Sequence, residues 1–280
     1  MIKGKAWDLD MPNRTLSSRR KEPLNDLDGK TWERYSISVW DVTKTPEEVR
    51  TQHPAMFPVE LCRRLIRIYT KKGDVVLDPF MGSGSTVIAA RDLERIGIGI
   101  DINPVFVDLA KRRLSKQKTL LSSVNQPRIY CGDSVNLTRF VEPESVDLVI
   151  TSPPYWFIHK RKRTADYKKP RPYSELPRDL GNIEDYGRFM ESLREIFSKV
   201  REVLKPGKRC VVIVMDIRVQ SLFISFHVDV INMMREIGFS LEDIIIWDRR
   251  KEYNNLRPLG YPYVFIVNKV HEYILIFRRK

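Results

Sequence analysis

From Phe57 onward the apolar and polar positions follow two alternating periods. In VELCRRLIRIYT (59–70) apolar residues recur at 61, 65 and 68, a spacing that predicts a helix. DVVLD (74–78) is a continuous apolar run of strand length, and GSTVIAARDLERI (84–96) predicts a helix that begins in a Gly/Ser turn. A strand at GIGID (97–101) follows, then a helix at PVFVDLAKRRLSKQ (104–117) with Pro104 in its first turn. RIYCGD (128–133) and VDLVIT (146–151) predict strands, and YGRFMESLREIFSKVREVL (186–204) a long amphipathic helix ended by Pro206-Gly207. RCVVIVMD (209–216), EDIIIWD (242–248) and HEYILIF (271–277) predict three more strands, with a helix near 225–237.

Strands that alternate with helices imply a largely parallel sheet covered on both faces. The last two strands have no helix between them, so an antiparallel pair at one edge is expected. The predicted architecture is α/β: a doubly wound, seven-stranded, mostly parallel sheet with one antiparallel edge strand. In such sheets ligands sit beyond the carboxyl ends of the strands. Asp78, Asp101, Asp133 and Thr151-Ser152 end four of them and should gather on one rim. Residues 1–52 are polar, with Trp7, Trp32 and Trp40 scattered through them, and read as an extension or lid; residues 53–280 read as one domain.

Composition narrows the class. The 280 residues suffice for one large domain with a substantial core, and 42% are hydrophobic. No apolar run approaches the roughly 20 residues of a membrane span. The N-terminal MIKGKAWDLD is charged, without a signal peptide's apolar stretch, and a cytoplasmic location is expected. Cys62, Cys131 and Cys210 are far apart and form no C-x-x-C pair, which argues against a disulfide framework or a zinc site. The net charge of +13 suggests a polyanionic partner, nucleic acid first. A thermophile's surface, rich in Lys, Arg and Glu and poor in Gln (four residues here), gives the same balance.

DVVLDPFMGSGST (74–86) is strand, turn, then helix. Gly82 and Gly84 let the backbone pass close to a ligand, and Asp101, at the end of the next strand, suits a pair of ribose hydroxyls. No Lys follows Gly84, so this is no P-loop. A dinucleotide loop wants Gly or Ala where Val87 stands, and an anionic Asp78 would repel a pyrophosphate. That carboxylate suits a cationic nucleoside. S-adenosylmethionine carries an ammonium, a sulfonium and a ribose, and no phosphate. Asp133 and Ser134 end the third strand, where the carboxylate could accept from an adenine amino group or cap a helix.

DPFMGSGST, GIGIDINPVFVDLAKRRL, GDSVNL, TSPPYW (151–156) and HPAMFPVEL (53–61) together resemble the amino-methyltransferases of nucleic acids. The resemblance covers roughly residues 53–278 and is joined by VLKPG (203–207) and HEYILIFRRK (271–280). It implies a Rossmann-like class I methyltransferase that moves a methyl group from S-adenosylmethionine to N4 of cytosine or N6 of adenine. It also implies that His53, Phe57, Asp78, Pro79, Phe80, Gly82, Ser83, Gly84, Thr86, Asp101, Ile102, Asp133 and Ser134 hold the cofactor. Ser152, Pro153, Pro154 and Tyr155 would form the catalytic turn. An aromatic amine is a poor nucleophile because its lone pair is delocalised into the ring. Acceptors beside its N–H groups, the Ser152 hydroxyl and the Pro153 carbonyl, would expose that lone pair. Proline fixes φ and brings no competing donor. Tyr155 would offer a flat face to the base. In the family, N6-adenine enzymes usually carry Asp where Ser152 stands, which favours cytosine. A C5-cytosine enzyme would need a cysteine nucleophile, typically Pro-Cys, and the chain has none.

The glycine loop precedes Ser-Pro-Pro-Tyr, the reverse of the usual N4-cytosine order, and no large target-recognition insert is left. About thirty residues separate Tyr155 from the helix at 186, and seven Lys/Arg with one acid fall within 160–171. Trp156, Lys160, Arg161, Lys162, Arg163, Lys168, Lys169 and Arg171, in a loop at 156–182, are the expected substrate contacts. A substrate recognised by shape, such as ribosomal RNA, is slightly favoured over DNA. An inactive nucleic-acid-binding protein on the same scaffold and a nicotinamide dehydrogenase are the rival readings.

Overall fold

The structure, a computed structural model, describes residues 23–51, 56–116, 126–160, 174–253 and 256–280. The chain opens with α1 (Gly29–Tyr35), β1 (Val39–Trp40), α2 (Pro46–Val49) and α3 (Val59–Tyr69). Strands and helices then alternate: β2 (Val75–Asp78), α4 (Ser85–Asp92), β3 (Ile96–Asp101), α5 (Pro104–Lys116), β4 (Arg128–Cys131) and β5 (Val146–Thr151). The second half comprises α6 (Tyr186–Val203), β6 (Leu204–Val214), a hairpin of β7 (Ile217–Val219) and β8 (Leu222–Ile224), α7 (Phe226–Glu236), β9 (Phe239–Asp248) and β10 (His271–Arg279).

The main sheet has eight strands in the order β1-β9-β10-β6-β5-β2-β3-β4. All seven predicted strands are in it. The eighth, β1, comes from the N-terminal segment and pairs parallel to β9. β10 is antiparallel, as expected, but it lies between β9 and β6 and pairs with both, so the antiparallel strand is internal and not at the edge. The reason is tertiary. Every residue of β10 from Ile274 to Phe277 is buried, and two flanking strands satisfy its backbone as well as its side chains.

Both faces of the sheet are covered. Phe189, Leu193 and Phe197 of α6 and Phe226 and Met234 of α7 pack on one face. Leu61, Leu65 and Ile66 of α3, with Ile88 of α4 and Trp40 of β1, pack on the other. Each buried Phe contributes about 1.5–3 kcal/mol. The burial explains the mostly apolar spelling of β5, whose six residues are all enclosed. Its one charge, Asp147, accepts from Val75 N and from Lys205 Nζ at 2.8 Å, which holds its carboxyl below the usual range despite burial. Asp185 starts α6 by accepting from Arg188 N at 2.7 Å. No helix among the described residues is long and apolar enough to cross a membrane.

Candidate active site at the carboxyl rim

The parallel strands β2, β3, β4 and β5 end on one side of the sheet, and a cleft of about 800 Å³, its open mouth included, runs along that rim. Its walls bring together Pro79, Phe80, Gly82 and Ser83 after β2, Asp101 and Ile102 at the end of β3, and Asp133 and Ser134 after β4. Ser152 and Pro154, after β5, and Phe57, before α3, complete the predicted set that lines it.

The end of the cleft formed by the glycine loop and the ends of β3 and β4 is held together by hydrogen bonds to the backbone. Gly82 and Gly84 take φ of +52° and +83°, a region costly for residues with a Cβ, and a Cβ on Gly84 would come within 2.9 Å of Ala110 Cβ. Asp101 accepts from Gly82 N at 2.7 Å and from Asn103 N at 2.9 Å, so its carboxylate pins the loop while opening on the cleft. Burial pushes its carboxyl up to about 6, against which the two backbone donors work. Asp133 accepts from Val135 N at 3.0 Å, the capping role, and its other oxygen lies 3.9 Å from Arg178. The Ser134 hydroxyl donates to the Pro79 carbonyl and ties the two strand ends together.

Asp78, Gly84 and Thr86 stand behind the cleft and do not line it. Asp78 is fully buried and accepts from Thr86 Oγ1 at 2.7 Å, Thr151 Oγ1 at 2.8 Å and Phe80 N at 3.1 Å. Burial raises its carboxyl to about 6. It fastens the glycine loop to the end of β5, a bracing role that the sequence reading assigned to ligand contact instead.

The catalytic turn is built differently. The Tyr155 hydroxyl donates to Glu272 Oε2 at 2.8 Å, across 117 positions of chain, and lies 3.1 Å from Ser152 Oγ. Glu272 is buried, and its other oxygen pairs with Arg249, so the enclosed carboxylate has its counter-charge. Since Tyr155 has one proton to give, Ser152 donates to it and keeps its own lone pairs. The Tyr155 ring is 6% exposed and stands edge-on to Phe226 at 6.4 Å, so it anchors the turn and shows no open face to a base. Trp156 is 8% exposed, wedged edge-on between Phe157 (4.1 Å) and Tyr186 (5.2 Å) at φ +52°. It is packed as core and is not displayed for substrate. Lys160 is exposed at the end of a short 3₁₀ turn. His53, Arg161, Lys162, Arg163, Lys168, Lys169 and Arg171 lie outside the described residues.

Sequence reasoning missed several contributors. Met56, Met81, Asn103 and Phe106 line the cofactor end, and Arg178, Asp179 and Leu180 reach it from the segment before α6. Asn103 and Phe106 were within reach, since they follow Asp101 directly and enter the helix. Glu272 was signalled only by being an acid inside an apolar strand.

The cleft suits S-adenosylmethionine. Three acids, Asp101, Asp133 and Asp179, and apolar walls line it, with no lysine and with Arg178 its one arginine among the described residues. The doubly wound sheet, with its glycine loop, the acid ending β3 and an internal antiparallel strand, is the Rossmann-like fold of the class I methyltransferases. A family model described as DNA methylase matches residues 4–112 and 146–280, and the chain belongs to that N6/N4 family, the amino-methyltransferases of nucleic acids. It is similar to the type II methyltransferase M.HpaI of Haemophilus parainfluenzae, at 37% identity over 87 residues, 31% of this chain and 28% of that protein. To M.Cfr9I of Citrobacter freundii the identity is 43% over 82 residues, 29% of this chain and 27% of that protein. The matched stretch thus spans less than a third of these curated relatives. A solved precorrin 8W decarboxylase from Methanobacterium thermoautotrophicum shares the fold at 17% identity and a TM-score of 0.50, covering 85% of this chain and 96% of that one.

Proposed function

We propose that this protein transfers a methyl group from S-adenosylmethionine to the exocyclic N4 amine of cytosine in DNA. The observation that carries the reading is that Ser152 and Pro154 share one cleft with Gly82, Asp101 and Asp133. Asp101 would take the ribose hydroxyls and Asp133 the adenine amino group. Phe80, Ile102 and Phe106 supply apolar wall for the purine, and Met56 and Phe57 enclose the methionine end. When bound, the cofactor supplies an electrophilic methyl group on a positively charged sulfur.

The chain's own residues prepare the nucleophile. Ser152 donates to Tyr155, which donates to Glu272, so the serine oxygen is left as an acceptor for an amine N–H. Pro154 has no N–H to compete for that site. The geometry acts by positioning: a target base beside Ser152 is aligned for direct displacement, and no covalent enzyme intermediate is required. Removing the base from a duplex costs a few kcal/mol, which the binding surface must offset.

Serine at 152 supports cytosine, because adenine enzymes of the family usually carry Asp there. The family description and the names of the type II relatives support DNA. The short span between Tyr155 and Tyr186 slightly favours structured RNA on the sequence alone, against the family and its relatives, and one experiment addresses both questions. Protein incubated with labelled cofactor and either DNA or ribosomal RNA should yield labelled N4-methylcytosine on nucleoside mass spectrometry of the DNA. Label in N6-methyladenine alone overturns the choice of base. Label in RNA alone overturns the choice of polymer.

A further inference from the structure

β9 and β10 meet at the rim through the pair His271–Asp248, and the chain between them leaves the sheet. This segment, 249–270, reads RRKEYNNLRPLGYPYVFIVNKV: five Lys/Arg against one acid, with four aromatics interleaved. Its side chains are unusually bare. Tyr261 is 78% exposed, Tyr263 90% and Phe265 94%, with Val264 and Val267 exposed beside them. Apolar surface of this extent on a folded loop marks a binding site more often than an accident.

Residues 256–270 of the loop are held by their own hydrogen bonds. Tyr263 N and Val264 N both donate to the Gly260 carbonyl, at 2.9 and 2.8 Å, and Asn268 Nδ2 donates to Arg257 O at 2.7 Å. Gly260 takes φ +79°, and a Cβ there would lie 2.1 Å from Val264 O, so the turn requires glycine. At its far end Lys269 Nζ donates to Asp216 O and lies 5.6 Å from the centre of the Phe223 ring. Phe223, 46% exposed, belongs to the β7–β8 hairpin, and Arg218 lies over the same ring at 5.2 Å. Loop and hairpin therefore make one surface of rings and cations. Its root adjoins the catalytic turn, because Glu272, the residue after His271, holds the Tyr155 hydroxyl.

We propose that residues 249–253 and 256–270 and hairpin 217–224 form the platform for the strand that carries the target base. The aromatic rings stack on unstacked bases flanking the target, and the exposed Arg250 and Lys251 side chains meet the phosphates. This rests on the reading of the protein as a nucleic-acid methyltransferase. Charge selects the occupant: a net +13 chain offers its exposed rings amid cations, at the rim where the base must enter. It also supplies the substrate contact for which the chain has no large insert.

The test uses a Tyr263→Ala/Phe265→Ala double variant, with Gly260→Val as a second way to displace the turn. Fluorescence anisotropy with a labelled mixed-sequence DNA oligonucleotide, as single strand and as duplex, measures Kd; calorimetry measures cofactor affinity. The double variant should bind single strand about tenfold or more weakly. Its cofactor affinity should be unchanged and the salt dependence of DNA binding kept. An unchanged Kd in both variants overturns the platform. So does a dimeric parent whose variant becomes monomeric at undiminished DNA affinity, which would make the surface a contact between copies. Preferential binding of the parent to anionic vesicles over DNA also overturns it. Equal methyl transfer by parent and variant would remove the platform and leave the methyltransferase reading standing. Ring-dependent DNA binding without transfer to any nucleic acid would keep the platform and remove that reading.

Discussion

The two ends of the cleft are made by opposite strategies. At the glycine-loop end, carboxylates bond backbone N–H groups within 19 positions, Asp101 to Gly82 and Asn103 and Asp133 to Val135, and the Ser134 hydroxyl reaches the Pro79 carbonyl across 55. At the base end, Ser152 depends on Tyr155, and Tyr155 on a glutamate 117 positions away, itself paired with an arginine from the end of β9. On the proposed reading, the first end presents backbone and carboxylate to the cofactor. The second assembles side chains from three strand ends where that reading places the base. A defect in the first should weaken cofactor binding or the fold; a defect in the second should slow transfer and leave the cofactor bound.

Four expectations sharpen or break that contrast. The largest effect belongs to Asp78, which serves neither ligand directly but braces both ends. Asp78→Ala leaves Thr86, Thr151 and Phe80 N without their buried acceptor and should cost about 3 kcal/mol or more of stability by chemical denaturation. Asp101→Ala should weaken cofactor binding by about 2–3 kcal/mol in calorimetry, since it removes a charged acceptor and frees the glycine loop. Glu272→Gln keeps the shape of the relay but weakens the acceptor that orients Tyr155. It should lower methyl transfer about tenfold with cofactor affinity unchanged; a fall in cofactor affinity instead would erase the contrast.

The smallest effect is a pH dependence in which binding and stability part company. Burial raises Asp101 and Asp78 from an ordinary 3.8 to about 6, so between those values the folded protein holds protons that the unfolded chain releases. Their contribution to stability therefore increases as pH falls through about 6. Cofactor affinity should decline over the same window, because protonated Asp101 no longer offers a charged acceptor. Calorimetric titrations and denaturation curves taken between pH 7 and about 5 compare the two directions.

The same contrast explains what could be read from the residues. Strands announce themselves through local apolar runs, and the rim acids through their places at strand ends, so it was legible that Asp101, Ile102, Asp133 and Ser134 share a rim with the glycine loop. Asp78 was misjudged for a local reason: a carboxylate at a strand end looks the same whether it faces ligand or Thr86 and Thr151. Tyr155 was expected to offer its face to a base and Trp156 to contact substrate, yet burial against Phe226 and Tyr186 is decided by helices α6 and α7, far along the chain. The internal position of β10, the pairing of the two-residue β1 and the part played by Glu272 are likewise facts of long-range pairing, which periodicity does not encode.

The central claim is that one cleft holds a cofactor site and a separate base-activating turn, and it is met most directly by comparing Ser152→Ala with Asp101→Ala in paired cofactor-binding and methyl-transfer assays. Ser152→Ala should bind S-adenosylmethionine like the parent while transferring label to DNA about ten- to a hundredfold more slowly; Asp101→Ala should lose cofactor affinity first. Equal transfer rates for Ser152→Ala and parent would contradict the account.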